Sequence, residues 1–132
     1  QQNDTCAITL KMENGSIANI SYFSNGSPKL PKEHIEIFAG GTSAVIQDFK
    51  TLQLADKDGF RKTKLQKQDK GHAAEIEAFS EAVKSGKPLP VSVDDSLHAT
   101  LVTFAVVESL RAGGEKINIE PFEASWISPK AN

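Results

Sequence analysis

Apolar and polar residues alternate along much of the first half of the chain, as they do in β-strands. The alternating or strand-like segments are 7–12, 17–22, 34–38, 43–46, 51–54 and 60–66. Asn14-Gly15 between the first two is a strong signal for a two-residue hairpin, and Gly40-Gly41 and Asp58-Gly59 mark further turns. The pattern predicts about six short strands with local connections, and hence a mostly antiparallel open sheet.

The second half of the chain changes to helical spacing. Ile76, Phe79 and Val83 recur at intervals that place them on one side of a helix. Gly86 stands where a left-handed residue would end this helix, and Pro88 prevents its continuation. The spacing predicts a first amphipathic helix that ends just before Gly86.

A second helix is predicted after the prolines. Asp94 and Asp95 lie at its start, where carboxylates favour the positive end of the helix dipole, and Gly113 lies at its end. Segment 116–119 alternates again and is predicted as a last short strand. Residues 121–132 are interpreted as a tail that apolar side chains could anchor, namely Phe122, Trp126 and Ile127.

These patterns predict an α+β domain over residues 1–120: a mostly antiparallel open sheet of about six strands with two main helices packed on one face. Five helix side chains are expected in the core: Ile76, Phe79, Leu97, Leu101 and Phe104. The free apolar face of the sheet is expected to seek a partner.

Composition limits the classes of partner. The chain has 132 residues, 39% of them hydrophobic and 24% charged, with a formal net charge of −2, which favours one folded domain and gives no general reason to expect nucleic acid or a membrane. Cys6 is the only cysteine, which favours a reducing compartment such as the cytoplasm, or simply no need for a disulfide. A basic run could follow a phosphate backbone, but we favour an edge strand that carries lysines: Arg61, Lys62, Lys64, Lys67 and Lys70.

No catalytic, cofactor-binding or metal-binding constellation is evident in the sequence. It contains neither G-x-G-x-x-G nor G-x-x-x-x-G-K-[ST], and Gly40-Gly41 lies between two strands rather than before a helix. His34, His72 and His98 have no cysteine or histidine at ligand spacing. No serine occupies a G-x-S-x-G elbow.

Several short segments, in order, resemble one enzyme family. They are 14–17, 22–26, 31–38, 47–49, Lys70-Gly71-His72 with Glu75, Phe79 and Val83, and Ser109-Leu110-Arg111. Over residues 6–120 the chain is similar to the C-terminal domain of the glucose–fructose oxidoreductase, inositol dehydrogenase and rhizopine-catabolism (Gfo/Idh/MocA) family. Segments 14–49 are similar to a branch found near polysaccharide-synthesis enzymes, sometimes joined to a zinc-alcohol-dehydrogenase-like module.

The resemblance implies an NAD(P)-dependent oxidoreductase that acts on a sugar, a nucleotide sugar or a cyclitol. Family members hold NAD(P) in an N-terminal dinucleotide-binding domain, and their catalytic lysine lies in a Glu-Lys-Pro motif that this chain lacks. Because the chain begins at Gln1 rather than at methionine, we expect it to be part of a longer protein. Its implied role is substrate binding and homo-oligomerisation through the open sheet face, without activity by itself. The alternative is a free-standing, non-catalytic scaffold or interaction domain.

Four residues are candidates to face a substrate. Tyr22, Asn25 and Lys32 flank a long loop, where a phenol, an amide and an ammonium group could bind sugar hydroxyls. His72 lies near the start of the first helix and could titrate near neutral pH. The alternative interpretation is structural: sheet packing for Tyr22, turn formation for Asn25 and a surface or capping position for His72.

Overall fold

The computed structural model describes residues 5–127, which form six strands and three helices. The strands are β1 (Thr5–Lys11), β2 (Ile17–Phe23), β3 (His34–Ala39), β4 (Thr42–Gln47), β5 (Thr51–Asp56) and β6 (Gly59–Lys64). The helices are α1 (His72–Ser85), α2 (Val93–Arg111) and α3 (Ile119–Ile127). The chain divides after Glu75 into two compact units, an N-terminal unit that contains all the strands and a C-terminal unit that is helical in its described part.

The six strands belong to two antiparallel sheets. β1 and β2 form a two-stranded hairpin, and the other four strands form a sheet in the order β3-β4-β5-β6. The predicted α+β class and the antiparallel strands are thereby confirmed, while the expectation of one continuous sheet is corrected. Residues 24–33 separate the two sheets, and they include Pro28 and Pro31, which have no N–H group to donate to a neighbouring strand.

The tight turns follow from glycine. Gly40 and Gly41 join β3 to β4 with φ angles of 55° and 78°, the positive values that a type I′ turn requires at both positions. The β1–β2 connection is one residue longer than predicted. Met12 N donates to Ser16 O at 2.9 Å, and Gly15 N donates to Met12 O at 3.0 Å. Three residues therefore lie between Met12 and Ser16, and Gly15 takes the positive φ of 86°.

The register gives the four-stranded sheet one apolar face. Ile35, Ile46 and Leu52 lie opposite one another in a row across β3, β4 and β5, and a second row contains Ile37, Ala44 and Leu54. These six residues are called the apolar face below. Ile37 is 50% exposed and Leu52 is 41% exposed. β6 lies at one edge of the sheet, as its lysines predicted.

Side-chain and backbone caps determine the ends of α2. The hydroxyl of Ser92, which the sequence interpretation did not single out, accepts a hydrogen bond from Asp95 N at 3.0 Å. At the other end Gly114 N donates to Ser109 O at 2.7 Å and Gly113 N donates to Leu110 O at 3.3 Å. These two bonds form a Schellman motif, which requires positive φ just after the helix.

The predicted helix core is smaller than expected. Of the five side chains expected there, only Leu101 is buried; it is joined by Ala82 and Ala105. Ile76 is 67% exposed and Phe79 is 53% exposed, while Leu97 and Phe104 are each a little over 40% exposed. A unit of fewer than about 60 residues has little interior volume for long side chains.

The strand predicted at 116–119 is wrong. Residues 115–118 are irregular, and α3 begins at Ile119 with Pro121 in its first turn, where a missing N–H group costs no helical hydrogen bond. The Trp126 ring lies 5.2 Å from that of Phe104, so Trp126 contacts α2. The remainder of the predicted tail, 128–132, and the side chain of Ile127 lie outside the described residues.

Two histidines are paired with glutamates. His98 Nδ1 on α2 lies 3.4 Å from Glu123 Oε2 on α3, and His34 Nε2 lies 3.1 Å from Glu36 Oε1 on β3. Among residues 5–127, no helix has the combination of length and apolar character needed to cross a membrane.

Candidate functional site

A recess of about 580 Å³ lies beside the long connection between the two sheets. It is called the loop recess below. Its lining consists of residues 22–24 and 26–33 together with Asp48, Gln68 and Lys70. The end of β2, the β2–β3 connection, the β4–β5 turn and the segment before α1 therefore meet here, all within the N-terminal unit.

The β2–β3 connection is a constrained loop. Leu30 N donates to Ser27 O at 3.2 Å, which closes a turn over Ser27-Pro28-Lys29-Leu30. Pro28 occupies the second position of this turn, where its fixed φ is favourable. Lys29 N also donates to the Ser27 hydroxyl at 3.3 Å. These bonds order the backbone of the turn that carries Lys29.

The β4–β5 turn carries backbone strain at the edge of the recess. Asp48 and Phe49 have φ angles of 53° and 49°, in the left-handed region that residues other than glycine, asparagine and aspartate seldom occupy. Asp48 N donates to Glu33 O at 2.7 Å, and Asp69 N donates to Phe49 O at 3.1 Å. Such conformations persist only where surrounding bonds enforce them, and they are concentrated at functional sites.

Two side-chain bonds attach the segment before α1 to this turn and to Glu33. Gln68 Nε2 donates to Asp48 Oδ1 at 2.7 Å. The Lys70 ammonium lies 2.5 Å from Glu33 Oε1 and 5.9 Å from the centre of the Phe49 ring. Because these bonds join residues 20 and 37 positions apart, they fasten together parts of the chain that are distant in sequence.

Lys70 favours the ionised form of Glu33. Its hydrogen bond holds the pKa of the Glu33 carboxyl below the ordinary value of 4.5, and its charge acts in the same direction. The folded N-terminal unit thus favours ionised Glu33. The Glu33–Lys70 pair stabilises the fold above the ordinary pKa, and this contribution disappears as the pH falls through the lowered pKa of the folded state.

The Glu33→Gln variant is therefore expected to lose less stability on acidification than the native protein. Denaturant midpoints measured from about pH 7 to pH 3 should converge for the two proteins as the pH falls, because protonation removes from the native protein the interaction that the variant already lacks. Glu13→Gln, at the exposed β1–β2 turn, is the matched control and should run parallel to the native protein. Parallel curves for Glu33→Gln would contradict the pairing.

The structure brings together two of the four predicted site residues. Tyr22 and Lys32 both line the loop recess, although they come from different ends of the connection. Asn25 is exposed and is not among the lining residues. His72 is the exposed first residue of α1 and does not line the recess either.

The basic run is divided between different surfaces. Arg61 hydrogen-bonds Asp56 across the β5–β6 hairpin, which lowers the pKa of the Asp56 carboxyl. Lys62 and Lys64 alternate with Arg61 on β6 and lie on the opposite face of the sheet. Lys70 is paired with Glu33 at the recess. Within residues 5–127, no group of three or more histidine, cysteine, aspartate or glutamate side chains is arranged to hold a metal ion.

The sequence reasoning missed Glu33, Asp48, Gln68 and Lys70 as site residues. Glu33, Asp48 and Lys70 lie in segments that carry the family resemblance. The resemblance depends on the order and spacing of these segments, and it assigned no function to the three side chains. Asp48 could have been selected from the sequence, because it lies between two predicted strands and turns at strand ends often carry binding groups.

Comparison with known proteins gave no match among protein-family models, curated proteins or solved structures.

Proposed function

We propose that this chain is the substrate-binding and assembly part of an NAD(P)-dependent sugar or cyclitol oxidoreductase of the cytoplasm. The observation that supports the proposal is the loop recess, in which Tyr22 and Lys32 converge with Asp48 and Gln68. NAD(P) and the hydride-transfer residues would belong to a separate dinucleotide-binding domain of the same protein. This chain would have no catalytic activity by itself.

The chemistry of the recess suits a carbohydrate. Sugar hydroxyls both donate and accept hydrogen bonds, and the recess offers a phenol, serine hydroxyls, a carboxylate, a side-chain amide and ammonium groups. Asp48 is fixed by Gln68, and its turn is fixed by the bond to Glu33 O. Binding groups held in this way lose little conformational entropy when a ligand binds.

The assembly role is supported by the apolar face of the four-stranded sheet. A row of partly exposed isoleucine and leucine side chains is costly in water, and contiguous apolar surface marks interaction sites. In the proposed enzyme this face would pair with the same face of a second subunit.

A free-standing interaction domain is the second candidate function. The same apolar face favours it, because a binding module needs a sheet surface but no substrate recess. The two candidates differ in their prediction for the loop recess: the oxidoreductase requires it to bind a carbohydrate, and the interaction module does not.

The experiment is a nicotinamide reduction assay on the protein encoded by the whole reading frame. A panel of sugars, sugar acids and cyclitols is supplied with NAD or NADP. Tyr22→Phe and Lys32→Met should each raise KM for the accepted substrate by about 2–10-fold, the effect of losing one hydrogen bond. Lys57→Met, in the exposed β5–β6 turn, should leave KM unchanged.

The absence of nicotinamide reduction with every compound in the panel, together with no G-x-G-x-x-G and no Glu-Lys-Pro motif elsewhere in the encoded protein, would overturn the proposed function. An unchanged KM in both recess variants would show that the loop recess is not part of the substrate site.

A further inference from the structure

The loop recess carries an excess of positive charge that the protein does not neutralise. Its ionisable lining groups are Lys29, Lys32, Lys70, Glu33 and Asp48. Lys70 is paired with Glu33. Within the described part of the chain, the ammonium groups of Lys29 and Lys32 have neither a hydrogen bond nor an ion pair.

The loop that carries these two lysines is pre-organised. Lys29 lies inside the turn closed by Ser27 and Leu30, and Lys32 follows Pro31, whose φ is fixed. Both ammonium groups belong to residues that line the recess, so an anion bound there would be attracted by each of them. Lysine is a frequent binder of carboxylate and phosphate groups, acting as a point charge.

The lining of the recess also includes neutral and hydrogen-bond-accepting groups. Tyr22 and Ser24 bring hydroxyls, and Asp48 brings a carboxylate whose Oδ1 is held by Gln68. A carboxylate accepts hydrogen bonds from ligand hydroxyls and disfavours a second anionic group beside it. The lining thus combines cations that suit an anion with groups that suit hydroxyls.

We infer that the ligand of the loop recess is a polyhydroxylated anion, a sugar acid or a sugar phosphate, rather than a neutral sugar or cyclitol. Lys29 and Lys32 bind its carboxylate or phosphate group, and Asp48 accepts hydrogen bonds from its hydroxyls. This inference rests on the proposed function for the location of the site, and it adds the charge class of the substrate. Because both lysines are exposed, the charge preference is sensitive to salt.

Calorimetric titration of the 132-residue chain at low ionic strength tests the inference. The probes are D-glucuronate, D-glucose 6-phosphate, D-glucose and acetate. The test variant combines Lys29→Gln with Lys32→Gln, and the matched control combines Lys57→Gln with Lys62→Gln, which removes the same charge from the exposed β5–β6 hairpin.

At least one of the two anionic sugars should bind about tenfold more tightly than glucose, and the Lys29/Lys32 variant should lose about tenfold in that affinity while the control keeps it. The tighter of the two identifies a sugar acid or a sugar phosphate as the source of the anionic group. Circular dichroism of each variant confirms that its fold is retained.

Three results would overturn the inference. Glucose that binds as tightly as both anionic sugars would show a recess without charge preference, and the proposed carbohydrate function would stand. Acetate that binds as tightly as the tighter of the two anionic sugars would show that charge alone is recognised. No binding of any probe would also reject the inference, and the nicotinamide assay would then decide the proposed function separately.

Discussion

Replacing Leu101 by alanine is expected to lower the free energy of unfolding of the C-terminal unit by about 2–5 kcal/mol. Leu101 is only 3% exposed and is the one large side chain among the buried residues of the described helices. Truncation removes its burial from water and leaves a cavity that its neighbours fill only in part. In a unit with so small a core, this loss is a large fraction of the total stability.

Trp126 provides the measurement. It is the only tryptophan of the chain, and its ring lies 5.2 Å from that of Phe104 on the same helix as Leu101. Denaturant unfolding followed by its fluorescence therefore reports the packing of α3 on α2. Val107→Ala, at a position 43% exposed on α2, is the control and should change the stability by no more than about 0.5 kcal/mol. A Leu101→Ala loss as small as that of the control would contradict the location of the core.

The second large effect is expected at Asp48. Asp48→Ala should destabilise the N-terminal unit by about 1–3 kcal/mol, because it removes the acceptor for Gln68 and places alanine at a φ of 53°. Aspartate tolerates the left-handed region better than alanine, since its short polar side chain can hydrogen-bond locally.

Two further substitutions separate these causes. Asp48→Asn keeps an oxygen acceptor and tolerates the same backbone conformation, so its stability should stay close to that of the native protein. Asp48→Gly loses the acceptor but relieves the strain, so it should lie between the native protein and Asp48→Ala. Hydrogen exchange at the amides of β4 and β5 measures the change in stability of the N-terminal unit, which contains the Asp48 turn. Equal protection in the Ala and native proteins would show that the turn does not depend on Asp48.

Much of the N-terminal unit could be predicted because short sequence patterns, each only a few residues long, determine its strands and turns. Alternation of apolar and polar residues defines a strand and its faces within a few positions, and Gly40-Gly41 permits the positive φ angles of a two-residue turn. The end of α1 at Gly86 and the acidic start of α2 were predictable for the same reason.

The failures occurred where neighbours in space decide the structure. Segment 116–119 alternates as a strand does, but no described strand of its unit offers an edge with which to pair. The apolar stripe of α1 predicted burial, yet Ile76 and Phe79 remain more than half exposed. Periodicity identifies the face that would be buried, and it does not establish that a covering element is present.

The candidate site was predictable only in part for a related reason. Tyr22 and Lys32 could be selected because they flank a long loop, where binding residues are common. Asp48 and Lys70 enter the site through bonds to Gln68 and Glu33 that span 20 and 37 residues. No local pattern encodes such bonds, because each partner by itself is an ordinary polar residue near a turn or loop.

Amide chemical-shift mapping detects directly whether the loop recess binds a carbohydrate, as we propose. The 132-residue chain is titrated with D-glucuronate, D-glucose 6-phosphate and D-glucose, and the shifted amides are assigned. We expect saturable shifts concentrated at residues 22–33, Asp48, Gln68 and Lys70. Shifts confined to α2 and α3, or no saturable shift with any of the three compounds, would contradict this proposal.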